Sequence, residues 1–495
     1  TAFVGRCLRG PVNRPVQLAN FADFQGVFGG LWQPSTLSYA VEQYFENGGR
    51  TAVVVRVANG ARCCTLTLQA REVALVLQAL SPGTREFLRA AVDYDGIGDN
   101  EEDRFNLVLQ RVRTPGSEHI EDQEIYRRLT VLPDAARDVT TTLADSQLAR
   151  VVGAVPLRRP DQTSHSDPRG IAGYVLSNPD GDDGGALTDY DLIGSAARGT
   201  GLFALDAIET FNFLCIPPLA RDADVGASTL LVANRYCRER RALLFVDPPV
   251  AWDSAGKEDA EMRNWPLPSD TACIYFPRLL AYDKLRGRFE AFAPCGAVAG
   301  TLSRAADVAR VWSATTGEDV ALRPGLRPTC AVDDNYRARL VASGVNTVQT
   351  VRRPGREVPI ACTMAGPGAA AADWRMLPAR RLAFMIISSI ERGTRWMLFE
   401  PNEPPTWRRA AAQVRAFLSS LEERGAFAHR EPGDRWFVLC NERVNREQHR
   451  ERGIVNLLFG FAAARSGEFH AYMISHRAGG SRAQAVSPNL TGLPG

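Results

Sequence analysis

Lysine is nearly missing from this chain. Of 58 basic residues, only Lys257 and Lys284 are lysines. A GC-rich genome accounts for the bias. Its physical consequence is that cation is carried by arginine forks, which pair carboxylates bidentately and suit protein interfaces. Net charge is low as well: 58 basic against 56 acidic residues leave +2, which excludes a strong field for nucleic acid or a membrane surface. No run of 18 apolar residues occurs, so no membrane-spanning helix is expected. No signal peptide is recognisable. The chain opens at Thr1 inside a strand-like stretch, so a preceding segment is expected.

Chemistry-bearing motifs are also scarce. There is no G-x-G-x-x-G, Walker A loop, G-x-S-x-G or H-E-x-x-H. The ten cysteines (Cys7, Cys63, Cys64, Cys215, Cys237, Cys273, Cys295, Cys330, Cys362 and Cys440) form no C-x-x-C. Their flanks are apolar, as in FLCIP and FVLCN, which reads as buried thiols in a reduced compartment. No cofactor and no metal are expected.

What is present is core. Hydrophobic residues make up 45% of 495, enough for two to four domains. The opening 60 residues carry two short helices and a strand. Phe21, Phe24, Val27 and Phe28 recur at helical spacing, and Gly29-Gly30 end the stripe. Leu37, Ala40, Val41, Tyr44 and Phe45 repeat it, stopped by Asn47-Gly48-Gly49. TAVVVRV at 51–57 is β-branched and long enough for a buried strand. From 60 to 165 short alternating runs separated by charged, Gly-rich breaks read as an inserted β-rich domain. A β-α-β unit follows: a strand at 211–216, a helix at 230–241 and a strand at 243–246, which implies a parallel sheet. Strands are expected at 272–276, 346–352 and 358–364, and a helix at 301–312 after the small-residue segment PCGAVAG. Leu382, Met385, Ile386 and Ile390 stripe a helix ended by Gly393. A strand is expected at 396–399, a helix from Pro405 to Gly425, and strands at 436–440, 454–461 and 468–475. The tail after Arg477 reads as poorly ordered.

Three acidic groups are candidates for chemistry. The cluster Asp93, Asp95, Asp99, Glu101, Glu102 and Asp103 lacks EF-hand spacing and reads as a solvated hairpin loop. Asp180, Asp182 and Asp183 among glycines suggest either a metal loop or a connector. Asp247 closes a parallel strand, where enzymes often place catalytic carboxylates. No nucleophile–base pair accompanies it.

Two stretches decide the reading. The first is F-A-D-F…V-F-G, L-x-Y-A-V-x-x-Y-F-x-N-G-G and V-V-V-R-V, with Phe24, Phe28, Tyr39, Phe45, Asn47, Gly48 and Gly49. The second is W-x-x-x-x-x-R-R-L, then I-E-R-G-T-R-W-x-x-F-E-P-N and a further tryptophan. It carries Trp374, Arg380, Arg381, Glu391, Arg392, Gly393, Trp396, Glu400, Pro401, Asn402 and Trp407. Together they resemble the tail sheath proteins of contractile phage tails and related injection machines, and they bracket almost the whole chain. Two departures stand out: the usual N-terminal arm is absent before Thr1, and the C-terminal tail is rich in Gly, Pro and Ser.

The resemblance implies a mixed α/β, multi-domain fold: residues 1–59 the first part of an α/β core, 60–165 an inserted outer domain, 166–355 an α/β domain, and 356–495 a C-terminal sheath core. It implies a structural polymer and not an enzyme. The expected polymer is stacked six-fold rings around an inner tube protein, meeting baseplate and tail terminator proteins, in a virion tail assembled in the bacterial cytoplasm. Contraction would drive the tube through an envelope, without binding nucleic acid or inserting into a membrane. The segment Glu468, Phe469, His470, Ala471, Tyr472, Met473, Ile474 and Ser475 is expected to pair with a neighbouring subunit, because nothing ordered is expected after it. The alternatives are the sheath of a bacterial secretion or injection system, or an α/β hydrolase or transferase using Asp247 or the 180–183 acids.

Overall fold

The computed structural model describes residues 1–163, 173–253, 268–308, 311–312, 321–348, 361–365, 374–427, 435–463 and 469–486. Its centre is a seven-stranded sheet. The order is Val345–Thr347, Ala272–Phe276, Leu243–Val246, Phe213–Cys215, Ala2–Gly5, Ala52–Arg56 and Val16–Leu18. Every pairing is parallel except the last. Residues 1–59 and the strands after 210 therefore share one sheet. Its central strands are buried along their length because helices cover both faces. On one face Phe3, Val54, Phe213 and Phe245 meet Phe24, Phe28, Val41 and Tyr44 of the helices Phe21–Phe28 and Thr36–Glu46. On the other, Val4, Val55, Leu214 and Val246 meet Ala233, Tyr236 and Cys237 of the helix Ala227–Arg240.

The small-residue segment is the first turns of the helix Cys295–Val308. It lies hard against Thr36–Glu46: a Cβ on Gly296 would fall 2.1 Å from the Ala40 carbonyl oxygen, and one on Gly300 2.3 Å from that of Tyr44. Only glycine permits that approach.

The insertion is two antiparallel sheets sharing one core that includes Leu66, Leu77, Leu88, Leu107 and Leu129. It extends past the expected boundary at 165. Val175–Leu176 pairs with Phe87–Asp93, and the stem closes where Asn59 bridges Gly185. Val175 and Leu176 are too short a run to signal a strand by alternation.

In the C-terminal unit the helices Leu377–Gly393 and Pro404–Glu423 pack on an antiparallel sheet, Trp436–Leu439, Val455–Ala462, Phe469–Arg477 and Gly480–Val486. Three expectations are corrected here. Residues Arg395–Phe399 form a 3₁₀ helix, not a strand, and bury Met397 beneath it. The tail after Arg477 is ordered through Val486, pairing from Gly480 opposite Arg477 to Val486 opposite Ala471. The strand Phe469–Arg477 is thus flanked on both sides, by Val455–Ala462 and by Gly480–Val486. Phe469 to Ser475 present no free edge; Glu468 lies outside the described residues. The alternation Ser481, Ala483, Ala485 carries too little apolar side chain to stand out, and backbone pairing supplies the order. Residues 349–360, which hold half of the two strands expected at 346–352 and 358–364, also lie outside the described residues.

Candidate functional site

Asp247 follows the strand Leu243–Val246 and faces the start of the helix Cys295–Val308. Its Oδ1 accepts from the Cys295 backbone N–H at 2.9 Å, which satisfies one of the helix's free donors. The residue keeps partial exposure, but Oδ2 is shielded from solvent and has no hydrogen-bond partner. Burial pushes the carboxyl up to about 6, opposed by the bond from Cys295. Burial also pushes the Cys295 thiol well up, away from the thiolate a nucleophile needs. This is a helix cap, with no base–nucleophile pair. A nearby cavity lined by Thr36, Gln43, Pro217, Arg221 and Phe292 measures ≈ 10 Å³. That is room for about one water, far below the ~300 Å³ of a small-molecule site.

The acids at 180–183 fasten the insertion's stem. Asp180 accepts from Thr65 N and Oγ1 at 2.8 and 2.6 Å. Asp183 does the same for Thr84 at 2.9 and 2.8 Å. Asp182 pairs with Arg62 at 3.2 Å. Hydrogen bonds from Thr65 hold the Asp180 carboxyl below its ordinary range against burial. Among the described residues no group of three or more His, Cys, Asp or Glu is placed to hold a metal. Of the earlier acidic cluster, Glu101 pairs with Arg104 and Arg128, Asp103 accepts from Thr130 Oγ1, and Glu102 pairs with Arg158.

Sequence reading missed the two arginines beneath that stem. Arg56, 1% exposed, donates to the carbonyls of Gly10 and Pro82 at 2.7 and 2.8 Å. Arg9 joins the Gly26 carbonyl at 3.1 Å to Glu121 of the insertion. Arg9 lies in no motif; Arg56 is the arginine of the V-V-V-R-V stretch, and the available signal was a charge closing a buried β-branched run.

The first motif is packing. Phe24 and Phe28 lie at 5.4 Å, and Phe45 meets Tyr44 edge-on at 5.2 Å. The Tyr39 hydroxyl donates to Asp283 at 3.0 Å, with the Arg221 guanidinium 4.6 Å from its ring. Asn47 is fully buried and accepts from Arg304 and Arg323. Gly48 has φ +100, and a Cβ on Gly49 would strike the Tyr44 ring at 2.3 Å.

The second motif is a joint between the C-terminal unit and the central sheet. Glu391 pairs with Arg241, Arg380 with Asp270 at 2.8 Å, and Arg395 with Glu209 at 3.1 Å. Aromatic rings brace it. Trp374 stacks on His470 at 3.9 Å and receives Arg380 at 4.8 Å, while Arg381 lies 5.2 Å from the Phe213 ring. Trp396 donates to Gln413 and carries Arg409 at 4.1 Å, and Arg409 also reaches Glu400. Gln413 donates in turn to the Gly393 carbonyl. Asn402 bonds the Ile454 carbonyl and accepts from Trp407 at 2.7 Å. Arg392 and Pro401 are not buried, and Phe399 is 89% exposed. These contacts hold units together and present no convergent reactive groups.

The exposed backbone lies at sheet edges. In the C-terminal sheet these are Trp436–Leu439 and Gly480–Val486, neither paired on its outer side among the described residues. No helix among the described residues is long and apolar enough to cross a membrane.

Comparison with solved structures gives the same fold end to end. A sheath tail protein from Listeria innocua matches with TM-score 0.63 at 12% identity, over 96% of this chain and 94% of that one. A sheath tail protein from Desulfitobacterium hafniense matches with TM-score 0.56 at 12% identity, over 96% of each chain. The sheath of PVC, an extracellular contractile injection system, in its contracted state, matches with TM-score 0.54 at 16% identity, over 94% of this chain and 88% of that one. No family model matches the chain, and no curated protein matches it in sequence.

Proposed function

We propose that this chain, which carries the fold of contractile tail sheath proteins along nearly its whole length, is itself a sheath subunit. The observation that carries the reading is coverage: the likeness takes in the central sheet, the insertion and the C-terminal unit together, 96% of the chain against the Listeria innocua protein. A fold shared only in a generic α/β core would leave the insertion and C-terminal unit unmatched. The candidate residues agree. Asp247 caps a helix, the 180–183 acids clamp a stem, and the ERGTRW…FEPN stretch joins two units, structural roles that accord with the likeness to sheath proteins.

In this reading the subunits stack as six-fold rings around an inner tube, through heterologous contacts that do not close and so propagate as a helix. Shortening of the stack drives the tube through an envelope, with baseplate and terminator proteins at its ends. A virion tail and a bacterial injection apparatus use the same subunit design, and the PVC sheath gives the second equal standing. Lattice contacts that extend a sheet fall on Gly480–Val486 and not on the preceding strand, whose two sides are already taken.

Co-expression with a small tube-forming β protein encoded beside it tests the reading. Hollow cylinders with an axial repeat in negative-stain images are expected. Monomers only, with and without the tube protein, would overturn it.

A further inference from the structure

His476 sits beside the turn of the last hairpin with its ring fully buried. Nε2 lies 2.8 Å from Thr394 Oγ1, and Nδ1 lies 2.6 Å from Ser481 Oγ. The single Thr394 hydroxyl proton is donated to the Ile390 carbonyl at 2.6 Å. Thr394 Oγ1 can therefore only accept, so Nε2 carries the ring proton and Nδ1 accepts from the Ser481 hydroxyl. One neutral imidazole thus ties together the end of the helix Leu377–Gly393, the strand Phe469–Arg477 and the strand Gly480–Val486.

We propose that His476 is a proton-sensitive latch: a second proton, at Nδ1, turns the Ser481 hydroxyl from donor to acceptor and puts a charge on a fully buried ring beside Arg395, and release of Gly480–Val486 from the sheet relieves that charge. The edge of Phe469–Arg477 is then left open. The elements around the ring set the direction. Val455 stands opposite His476 on the strand Val455–Ala462, and Ser481 stands opposite it on the terminal strand. From the 3₁₀ turn Arg395, paired outward with Glu209, opposes a further positive charge. Burial, with Arg395 second, holds the ring down to about 4, against an ordinary 6.5.

The sign follows from that direction. The neutral ring's contribution is fully present above 6.5 and is lost as pH falls through about 4. The response is local because Gly480–Val486 is an edge strand of its sheet. It pairs on one side only, and its side chains are exposed or half-buried throughout. A released ring binds its proton at the ordinary value, so the strand's protection should fall roughly a hundredfold by pH 4. The inference stands on the fold alone and does not need the polymer reading.

Hydrogen exchange on the full chain tests it, with rates corrected for their intrinsic pH dependence, from pH 7 to pH 4. In the native chain, peptides covering 480–486 should lose protection roughly a hundredfold while peptides covering 243–246 hold. His476→Gln, which cannot take up the proton, should keep the 480–486 protection unchanged across that range. Ser481→Ala, which leaves neutral Nδ1 without its donor, narrows the gap between the folded and released ring and should make the loss smaller than in the native chain. Undiminished protection of 480–486 at pH 4 in the native chain would overturn the proposal. So would simultaneous loss in 480–486 and 243–246, or the same pH dependence in His476→Gln. If His476→Gln does not fold, the native series alone decides between these outcomes.

Discussion

Replacing Asp247 with Asn separates a structural carboxylate from a catalytic one. The side chain caps the helix Cys295–Val308 through Oδ1, and Oδ2 is buried without a partner. Moving a carboxyl from 3.8 to about 6 penalises its charged form by about 3 kcal/mol. Because the folded value is raised, the group's contribution is fully present below pH 3.8 and is lost as pH rises through about 6. Asp247→Asn keeps the acceptor oxygen and removes the charge. Urea unfolding at pH 4 and pH 7.5 reads the difference. Near pH 4 the variant should match the native chain within about 1 kcal/mol, the residual being the amide's unpaired donor. At pH 7.5 it should be the more stable of the two, by up to about 3 kcal/mol. Assembly should be unchanged. A variant less stable at pH 7.5, or one that assembles normally but loses puncturing activity, would refute the reasoning.

Glu391→Gln breaks the half-buried pair with Arg241 that joins the C-terminal unit to the central sheet. It should cost about 2 kcal/mol in urea unfolding, most of it recovered when Arg241 is changed to Met in the same chain. Gly300→Ala places a Cβ 2.3 Å from the Tyr44 carbonyl oxygen and should cost at least about 2 kcal/mol, read as a lower urea midpoint. Excising residues 60–185 behind a Gly/Ser linker, together with Arg9→Gln to avoid leaving a buried charge without Glu121, should leave a cooperatively folding core by circular dichroism. Cylinders should still form from it. Excision of 60–165 alone strands Val175–Leu176 without its partner and should aggregate on size exclusion.

Long apolar patterns were legible and short or backbone-held ones were not. The stripe Phe21, Phe24, Phe28 and the run 51–57 became the helix Phe21–Phe28 and the strand Ala52–Arg56 as read. The parallel β-α-β unit after 210 also stands, and so does a strand at Ala272–Phe276. Trp396 to Phe399 looked like a strand because aromatic and aliphatic residues crowd there. Met397 alone is buried, and the chain winds to place Trp396 against Gln413. Gly480–Val486 went unseen because polar strands announce themselves by pairing, which is non-local. That miss misplaced the free edge. The role of the second motif as a joint was equally hidden: Arg241, Asp270 and Glu209, its ion-pair partners, lie over a hundred residues upstream and carry no local signature.

The central claim is that the chain polymerises as a sheath. Helical reconstruction by cryo-electron microscopy of the assembled particle tests it most directly. The account predicts a hollow helical stack into which this fold fits as the repeating subunit, with sheet-extending contacts along Gly480–Val486. A particle whose wall is built from another protein, with this chain absent or confined to one end, would contradict it.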